Sequence, residues 1–258
     1  MNDLEQYFRQ NDKRLIMKWP HYFEIYERYF SRYRNKEIVI LEIGVANGGS
    51  LQMWRSYFGP KAKIYGVDID PRCKELEEEN IEIFIGSQSD RKFLRDLKSK
   101  LPQVDILIDD GGHSMQQQIV TFEELFDIVK PDGVYLCEDL HTSYWLTYGG
   151  GYNRRGTYIE YSKKFIDWLN AWHSEQNGLQ VNEFTQTVNA IHYYDSMIII
   201  EKRLRSKPFA EKTGHLFLVD EPRPVSPFKK FWGTVKFTGL SVINKCLRYF
   251  NLASFHWK

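Results

Sequence analysis

The chain has 258 residues, of which 42% are hydrophobic and 27% charged, and its net charge is +1. This composition is typical of a globular protein with one α/β core and appendages, and no apolar run reaches the roughly 18 residues that a membrane span needs. The cysteines Cys73, Cys137 and Cys246 are far apart and odd in number, which argues against a disulfide framework and a CxxC zinc site.

The N-terminal segment is predicted to form a helical cap on the domain that follows. Its first residues, MNDLEQYFRQNDKR, are charged throughout and lack the apolar core of a signal peptide, so we expect a cytoplasmic protein. Between residues 19 and 33, large apolar residues recur at helical spacing, which predicts an amphipathic helix. We assign residues 1–37 to this cap.

The next mostly apolar runs are predicted to be buried strands of a parallel sheet. These runs are IVILEIG, KIYGVDI, IEIFIG, VDILIDD and GVYLCED. Segments with helical character separate them, which is the pattern of successive βαβ units. The predicted helices span residues 51–58, 72–79, 90–98 and 115–129, and a Pro-Asp-Gly turn at 131–133 leads into the fifth strand.

An antiparallel hairpin is predicted to close the sheet. Residues 158–172 have the pattern of a further helix, and residues 187–202 that of two strands joined at Tyr194, Asp195 and Ser196. The expected fold class is therefore α/β: a doubly wound, mostly parallel seven-stranded sheet with an antiparallel closing hairpin over residues 38–202. Residues 203–258 form a C-terminal extension.

Polar residues end each of the predicted parallel strands. Ligands of open α/β sheets bind outside the carboxyl ends of the strands, so we expect one extended crevice along this edge. The residues at these ends are Glu42, Gly44, Asp68, Gln88, Ser89, Asp109, Asp110, Glu138 and Asp139.

The loop after the first strand is the candidate nucleotide end of this crevice. Its glycines allow a tight turn and close contact between the backbone and a ligand. Ala46 stands where a dinucleotide fingerprint has its second glycine, and Glu42 would repel a phosphate, so pyrophosphate binding is not favoured. An acidic group here suits a cationic ligand such as S-adenosylmethionine. The candidate cofactor-binding residues of this loop are Glu42, Gly44, Asn47, Gly48 and Ser50.

Three further strand ends carry candidate partners for the nucleoside part of such a ligand. Asp68 is placed to accept hydrogen bonds from ribose hydroxyls, with Asp70 as the alternative. Gln88 and Ser89 are placed to bond the adenine edge, or else to cap the next helix. Asp109 completes the candidate cofactor-binding residues.

The clusters IDDGGH and CEDLHTSYW follow the fourth and fifth predicted strands. They bring Asp110, His113, Glu138 and Asp139 to two adjacent strand ends, where their charges would crowd together without compensation. A divalent cation would supply the missing positive charge, and carboxylate oxygens are suitable ligands for it. The alternative is a pair of solvated strand-to-helix turns.

Together these motifs resemble the class I S-adenosylmethionine-dependent methyltransferases over about residues 38–202. The segments KWPHYFEIYERYF, GSQSD, IDDGGH and EDLHTSYW are similar to the metal-dependent sugar O-methyltransferases of the macrocin and mycinamicin type and to the cephalosporin hydroxylase-like proteins. The resemblance implies that Asp110, Glu138 and Asp139 bind Mg²⁺ and that His113 is the general base. As a ligand of the catalytic Mg²⁺, Asp110 is also expected to be a catalytic residue.

A sugar acceptor is expected from the chemistry of this site. A sugar hydroxyl is a poor nucleophile, but a cation and a nearby base make it reactive. Mg²⁺ takes six oxygen ligands, so three carboxylates leave places for two vicinal hydroxyls and a water. His141 is an alternative base or an acceptor contact, and Tyr144 and Trp145 are candidate walls for a sugar ring or else core residues.

The extension of residues 203–258 is strongly basic. It holds eleven Lys or Arg against three Asp or Glu, so the rest of the chain is acidic. This pattern suits an anionic membrane surface or a protein partner, or a pair of terminal helices packed on the core. Nucleic acid is disfavoured because the acidic remainder would repel phosphates. The interleaved aromatic residues are Phe228, Phe231, Trp232, Phe237, Tyr249, Phe250, Phe255 and Trp257.

The expected function is that of a cytoplasmic, Mg²⁺-dependent O-methyltransferase, with S-adenosylmethionine as donor and a sugar hydroxyl of a glycoside, natural product or glycan as acceptor. Peripheral contact with the inner membrane surface and a homo-oligomeric state are compatible with the sequence. Two other functions stay open. One is a non-catalytic scaffold subunit of a glycan-modifying complex, and the other is an NAD-dependent oxidoreductase, against which Ala46 and Glu42 argue.

Overall fold

The computed structural model describes residues 1–217 and 226–249. The chain divides into two compact units, Met1–Pro208 and Phe209–Lys258. The first unit contains a sheet with the strand order β3-β2-β1-β4-β5-β7-β6. Its strands are β1 Val39–Ile43, β2 Lys63–Asp68, β3 Ile81–Ile85, β4 Val104–Asp109, β5 Val129–Cys137, β6 Val188–Tyr194 and β7 Met197–Lys202.

The pairing of these strands confirms the predicted fold class. β1 to β5 pair in parallel, whereas β7 runs antiparallel to both β5 and β6. The start of β5 differs from the prediction, because the strand begins at Val129 and includes the Pro-Asp-Gly segment that was expected to precede it. The register of the pairing between β4 and β5 shifts between Val104 and Ile106. The Pro-Asp-Gly segment is therefore part of β5 but interrupts its regular pairing with β4.

Helices cover both faces of the sheet in the first unit. They are α1 Asp3–Gln10, α2 Tyr22–Phe30, α3 Gly49–Phe58, α4 Arg91–Lys98, α5 Met115–Leu125, α6 Tyr158–Ser162, α7 Lys164–Leu169 and α8 Glu183–Thr187. Helix α1 was not predicted, and it begins where the Asn2 side chain accepts a hydrogen bond from the Glu5 amide at 2.9 Å.

Several predicted helices are shorter or broken in the structure. The helix predicted over residues 115–129 ends at Leu125 and is followed by a 3₁₀ helix, Phe126–Ile128. The helix predicted over residues 72–79 is a 3₁₀ helix, Pro71–Leu76. The helix predicted over residues 158–172 is divided into α6, α7 and a 3₁₀ turn, Ala171–His173. At the first break, the Ser162 hydroxyl donates to the Ile159 carbonyl oxygen and so competes with the helical backbone bonds.

The predicted amphipathic stripe of α2 is buried against the sheet and α3. Tyr22, Phe23, Tyr26 and Phe30 are each 1% exposed or less, and the Tyr26 ring lies edge-on to that of Trp54. This packing fixes α2 beside the carboxyl ends of β4 and β5, so tyrosine hydroxyls of the helix reach the polar edge of the sheet.

The second unit contains one described helix, α9 Pro227–Tyr249. Among the described residues, no helix is long and apolar enough to cross a membrane. The tail residues Phe250, Phe255 and Trp257 lie outside the described residues, as does any second terminal helix.

Candidate functional site

Two adjoining cavities lie at the carboxyl ends of the parallel strands. The larger cavity has a volume of about 520 Å³ and the smaller one about 220 Å³. Both are bordered by Gly44, Ala46, Asp110 and Gly111, so the predicted crevice has two lobes that meet between β1 and β4. The polar and aromatic lining of the larger cavity includes Lys18, Trp19, Tyr22, Ser50, Asp110, His113, Glu138, Asp139, His141, Thr142, Trp145 and Tyr148.

Gly44 allows the ends of β1 and β4 to approach each other. Its φ is +96°, and a Cβ at this position would lie 2.1 Å from the carbonyl oxygen of Asp110. Only glycine fits such a contact at this backbone angle. The turn therefore sets the position of Asp110 at the boundary of the two cavities.

Glu42 is buried beneath this turn and lines neither cavity. Its carboxylate accepts hydrogen bonds from the Ser50 hydroxyl at 3.0 Å and from the Trp54 indole at 3.1 Å. Burial raises its pKa to about 7, although the ammonium of Lys18, 4.0 Å away, acts in the opposite direction. Glu42 therefore joins the end of β1 to the helix α3, to which Ser50 and Trp54 belong.

Asp68 lines the smaller cavity and also holds the glycine loop. Its Oδ2 accepts hydrogen bonds from the amides of Val45 and Ala46, each at 2.9 Å. Asp70, the alternative candidate, forms an ion pair with Arg72 and lines neither cavity.

Gln88 joins the ends of β3 and β4 at the smaller cavity. Its amide nitrogen donates to Asp109 Oδ1 at 2.5 Å and to the Thr121 hydroxyl at 2.9 Å, while its oxygen accepts from the Gly112 amide. Asp109 itself is 1% exposed, and burial raises its pKa to about 8. Asp109 is therefore a buried partner of Gln88 behind the cavity wall.

An acidic cluster stands where the larger cavity meets β4 and β5. The nitrogen Nε2 of His113 lies 3.5 Å from Asp139 Oδ2 and 3.9 Å from Asp110 Oδ1. One ligand atom from each of these three residues lies within 4.8 Å of the others, so this set can hold a metal ion.

Backbone strain accompanies this cluster. His113 and Asp139 have φ values of 54° and 55°, in the left-handed region that residues other than glycine rarely adopt. The Thr142 hydroxyl lies within hydrogen-bonding distance of the carbonyl oxygens of both residues, at 2.9 and 2.8 Å. Thr142 thereby ties the loop after β4 to the loop after β5 and maintains the geometry of the cluster.

The sequence allowed Lys18 to reach over the acceptor pocket from the first helix, with packing as the preferred role, but it did not predict that Lys18 pairs with the acids of this site. Its ammonium, which is buried, lies 2.5 Å from Asp110 Oδ2 and 2.9 Å from Glu138 Oε2. Burial alone would lower its pKa, but the carboxylates of Asp110, Glu138 and Glu42 raise it, so the side chain remains charged. Lys18 is therefore a built-in counter-cation for the acids. Its position inside an apolar stretch, MKWPHYF, was the available signal.

Helix α2 contributes two tyrosine hydroxyls to the acid pair after β5. Tyr22 donates to Asp139 Oδ1 at 2.8 Å, and Tyr26 donates to Glu138 Oε1 at 2.6 Å. These tyrosines are four residues apart, which places them on one face of the helix. Each acid is thus oriented by its own hydrogen-bond donor.

Aromatic rings form one wall of the larger cavity. The rings of His141 and Trp145 are 4.5 Å apart, and those of Trp19 and His141 are 5.5 Å apart. The Nδ1 atom of His141 lies 2.5 Å from the Ser196 hydroxyl. Tyr144 is 52% exposed and does not line the cavity, whereas Tyr148 does.

The candidate residues thus fall into two groups. Those that line the cavities are Gly44, Ser50, Asp68, Gln88, Asp110, His113, Glu138, Asp139, His141 and Trp145. Those that line neither are Glu42, Asn47, Gly48, Ser89, Asp109 and Tyr144. At the end of β3 it is Ser87, not the predicted Ser89, that borders the smaller cavity.

Known proteins are similar to this chain in sequence. The sequence profile of the family described as "Methyltransferase domain" matches residues 41–140. The chain is 34% identical to 8-demethyl-8-alpha-L-rhamnosyl tetracenomycin-C 2'-O-methyltransferase of Streptomyces olivaceus, over 72% of this chain and 51% of that protein. It is also 34% identical to demethylmacrocin O-methyltransferase of Streptomyces fradiae, over 75% of this chain and 52% of that protein. The chain therefore spans about half the length of the curated relatives it matches.

A solved structure resembles the chain over most of the first unit. The MycE methyltransferase from the mycinamycin biosynthetic pathway, in complex with Mg, SAH and mycinamycin VI, superposes with a TM-score of 0.70 at 30% identity. The match covers 79% of this chain and 54% of the MycE chain. The strand order and the antiparallel closing strands described above are those of the class I fold that the two proteins share.

Proposed function

The chain contains a methyltransferase domain of the class I fold, and from this premise we propose that it is a Mg²⁺-dependent O-methyltransferase that uses S-adenosylmethionine and acts on a sugar hydroxyl. The observation that carries the proposal is the convergence of Asp110, His113 and Asp139 in the larger, aromatic-walled cavity, where Asp110 also borders the smaller cavity. Relatives named as sugar O-methyltransferases, and the Mg and SAH bound to MycE, support it.

The smaller cavity is the proposed site of the donor's adenosine. Asp68 offers carboxylate oxygens for ribose hydroxyls, and Gln88 and Ser87 border the far side. The methionine end of the donor would then reach the junction near Gly44 and Ala46. Asp110 borders that junction, so its carboxylate would lie near the sulfonium centre of the donor.

Asp110, Asp139 and Glu138 are the proposed Mg²⁺ ligands. Mg²⁺ prefers hard oxygen ligands, which the carboxylates provide. Both oxygens of Glu138 already accept hydrogen bonds from Lys18 or Tyr26, so Glu138 would use the lone pair that these donors leave. When bound, the ion would stabilise negative charge on the acceptor oxygen.

His113 is the proposed general base. Its Nε2 faces the acidic cluster, where the acceptor hydroxyl would lie, and Asp139 is 3.5 Å away to stabilise the protonated ring. His113 takes the hydroxyl proton while the acceptor oxygen forms a bond to the methyl carbon. The bond between that carbon and sulfur breaks, and its electron pair stays on sulfur, which becomes a neutral thioether.

The wall of Trp19, His141 and Trp145 is the proposed acceptor surface. Aromatic faces suit the apolar face of a sugar ring, and the cavity of about 520 Å³ is large enough for a monosaccharide. Lys18 and one Mg²⁺ together balance the three carboxylates, so the site has no excess positive charge for a phosphate, and a neutral sugar is favoured. We also propose that the protein acts in the cytoplasm.

The test is a methylation assay on the full chain. Purified protein is incubated with S-adenosylmethionine, MgCl₂ and a panel of neutral glycosides, and the products are examined by mass spectrometry for the gain of a methyl group. Asp110→Asn should remove the activity, whereas the same substitution at the exposed Asp167 should leave it unchanged. Tight binding of NAD without binding of S-adenosylmethionine would instead indicate an oxidoreductase, and a stable complex without turnover would indicate a scaffold.

A further inference from the structure

Helix α9 has an unusual charge composition. It spans 23 residues, Pro227–Tyr249, and contains no Asp or Glu. Such a helix repels other cationic surfaces and attracts anionic ones along its whole length, about 35 Å at 1.5 Å per residue. Its basic residues are Lys229, Lys230, Lys236, Lys245 and Arg248.

One side of α9 exposes a continuous apolar surface. At 100° per residue, six apolar side chains fall within an arc of about 120°. All six are at least 44% exposed. The residues of this apolar arc are Phe228, Phe231, Trp232, Val235, Val242 and Ile243.

The opposite side of α9 is mostly polar. Lys230, Thr234, Ser241 and Lys245 lie there by the same helical spacing. The Thr234 hydroxyl donates to the Lys230 carbonyl oxygen at 3.0 Å, so the helix itself satisfies this polar group. Phe237 is the exception, because by the same spacing its exposed ring lies on this side of the helix. The six residues of the apolar arc are nevertheless separated from these four polar residues.

The positive charge of α9 and its exposed apolar arc together indicate which kind of surface covers the arc. A large exposed apolar patch rimmed by cations marks an interaction site. Among the described residues, no helix is apolar enough to span a bilayer. An amphipathic helix with aromatic residues on one side and lysines on the other suits the boundary between lipid headgroups and acyl chains. Because α9 contains basic residues and no acidic ones, its positive charge is attracted to anionic lipids.

We propose that α9 binds the surface of an anionic lipid bilayer, in the plane of the membrane. The apolar arc enters the acyl boundary, and the lysines lie among the headgroups. Trp232, whose ring contacts those of Phe228 and Phe231, is the central anchor of this surface. The proposal concerns the second unit and is independent of the reaction assigned to the first.

The first experiment is vesicle flotation of the full chain. One set of vesicles contains phosphatidylcholine alone, and the other equal parts of phosphatidylcholine and phosphatidylglycerol. We expect the protein to float with the anionic vesicles and to remain largely unbound with the neutral ones. High salt should weaken the binding, because ions screen the attraction between lysines and headgroups.

Substitutions in α9 separate the apolar and the charged contributions. Phe231→Ser with Trp232→Ser should reduce partition to anionic vesicles about ten-fold or more, because two aromatic side chains no longer enter the bilayer. Lys229→Ala with Lys230→Ala should reduce it roughly five-fold for each lysine. Phe217→Ser is the matched control, since Phe217 is 92% exposed in the same unit but lies outside α9, and its partition should not change.

Several outcomes would overturn the proposal. Equal binding to neutral and anionic vesicles would contradict the role of the lysines, and failure to bind either would contradict membrane association altogether. A concentration-dependent dimer in sedimentation velocity that the Phe231 and Trp232 substitutions abolish, without vesicle binding, would assign the apolar arc to a second copy of the chain. Thermal unfolding of each variant checks that the fold of the first unit is retained.

Discussion

Lys18 links the charges of three acids that lie far apart in the sequence. Its ammonium contacts Asp110 and Glu138 and lies 4.0 Å from Glu42. Buried carboxylates without a counter-cation are strongly unfavourable, since water no longer solvates them. The lysine thus stabilises the acidic cluster in the protein without metal.

We predict that Lys18→Met destabilises the metal-free protein by about 3 kcal/mol, because it leaves buried carboxylates unpaired. Added MgCl₂ should recover more stability in this variant than in the parent, since a divalent cation can take over part of the missing charge. Thermal unfolding with and without MgCl₂ measures both effects. Lys13→Met, an exposed position in the same segment, is the control and should behave like the parent.

The two histidines of the site are predicted to differ in their effect on turnover. The Nε2 atom of His113 faces Asp110 and Asp139, whereas Nδ1 of His141 is already held by Ser196. His113→Ala should therefore lower turnover by about 10² to 10⁴ and leave donor binding intact. His141→Ala should mainly raise the KM for the acceptor.

The measurement is steady-state kinetics with a methylated glycoside as product, together with calorimetric binding of the donor. The reverse pattern, a large loss of turnover in His141→Ala and a small one in His113→Ala, would exchange the roles of the two residues. Loss of donor binding in His113→Ala would show that this residue acts on the donor site instead.

At the scale of elements, Glu124 joins α5 to α4. It pairs with Arg91 at 2.6 Å and with Arg95 at 2.7 Å. The hydrogen bonds from Arg95, and then those from Arg91, lower the pKa of Glu124 to about 2. A carboxyl whose folded pKa lies below its unfolded value stabilises the fold above the unfolded pKa, and this contribution is lost as the pH falls towards the folded pKa.

We predict that Glu124→Gln lowers the free energy of unfolding by about 1 kcal/mol near pH 7, a modest value because solvent screens the half-exposed arginines. The difference between parent and variant should shrink as the pH falls from about 4.5 towards 2, since both forms then lack the charge. Urea unfolding over a series of pH values tests this. Glu175→Gln, at an exposed position, should show no such trend; a constant difference for Glu124→Gln would contradict the ionic explanation.

Some features of the helices could not be predicted from local sequence patterns. Alternating and continuous apolar runs predicted the strands, because side-chain burial on a sheet follows from local spacing. The 3₁₀ helix Pro71–Leu76 and the break after Ser162 were not predicted. Such irregularities depend on hydrogen bonds that compete with the helical backbone pattern, and helical periodicity does not report them.

At the scale of the whole molecule, the two units carry different properties. The sheet and both cavities lie within Met1–Pro208, whereas the basic helix α9 lies within Phe209–Lys258. We predict that a chain ending at Pro208 unfolds cooperatively at a midpoint close to that of the full chain and retains donor binding.

The same shortened chain should no longer float with anionic vesicles. The test is to measure calorimetric unfolding, donor binding and vesicle flotation on one preparation of the shortened chain. Together they show whether the fold and donor binding belong to the first unit and vesicle binding to the second. A broad, non-cooperative transition would show that the first unit needs the second for its stability.

The sequence by itself determined the fold class and brought acidic residues to the ends of adjacent strands, because strand spacing and the βαβ pattern are local properties. Only the tertiary structure decided which of these residues face a ligand. Neighbours Asp109 and Asp110 have opposite surroundings, one bonded to buried Gln88 and the other to Lys18. Lys18 itself stands 120 residues from Glu138 in the chain. Such a charge pairing arises because the segment before α2 packs against the sheet, and no local pattern encodes it.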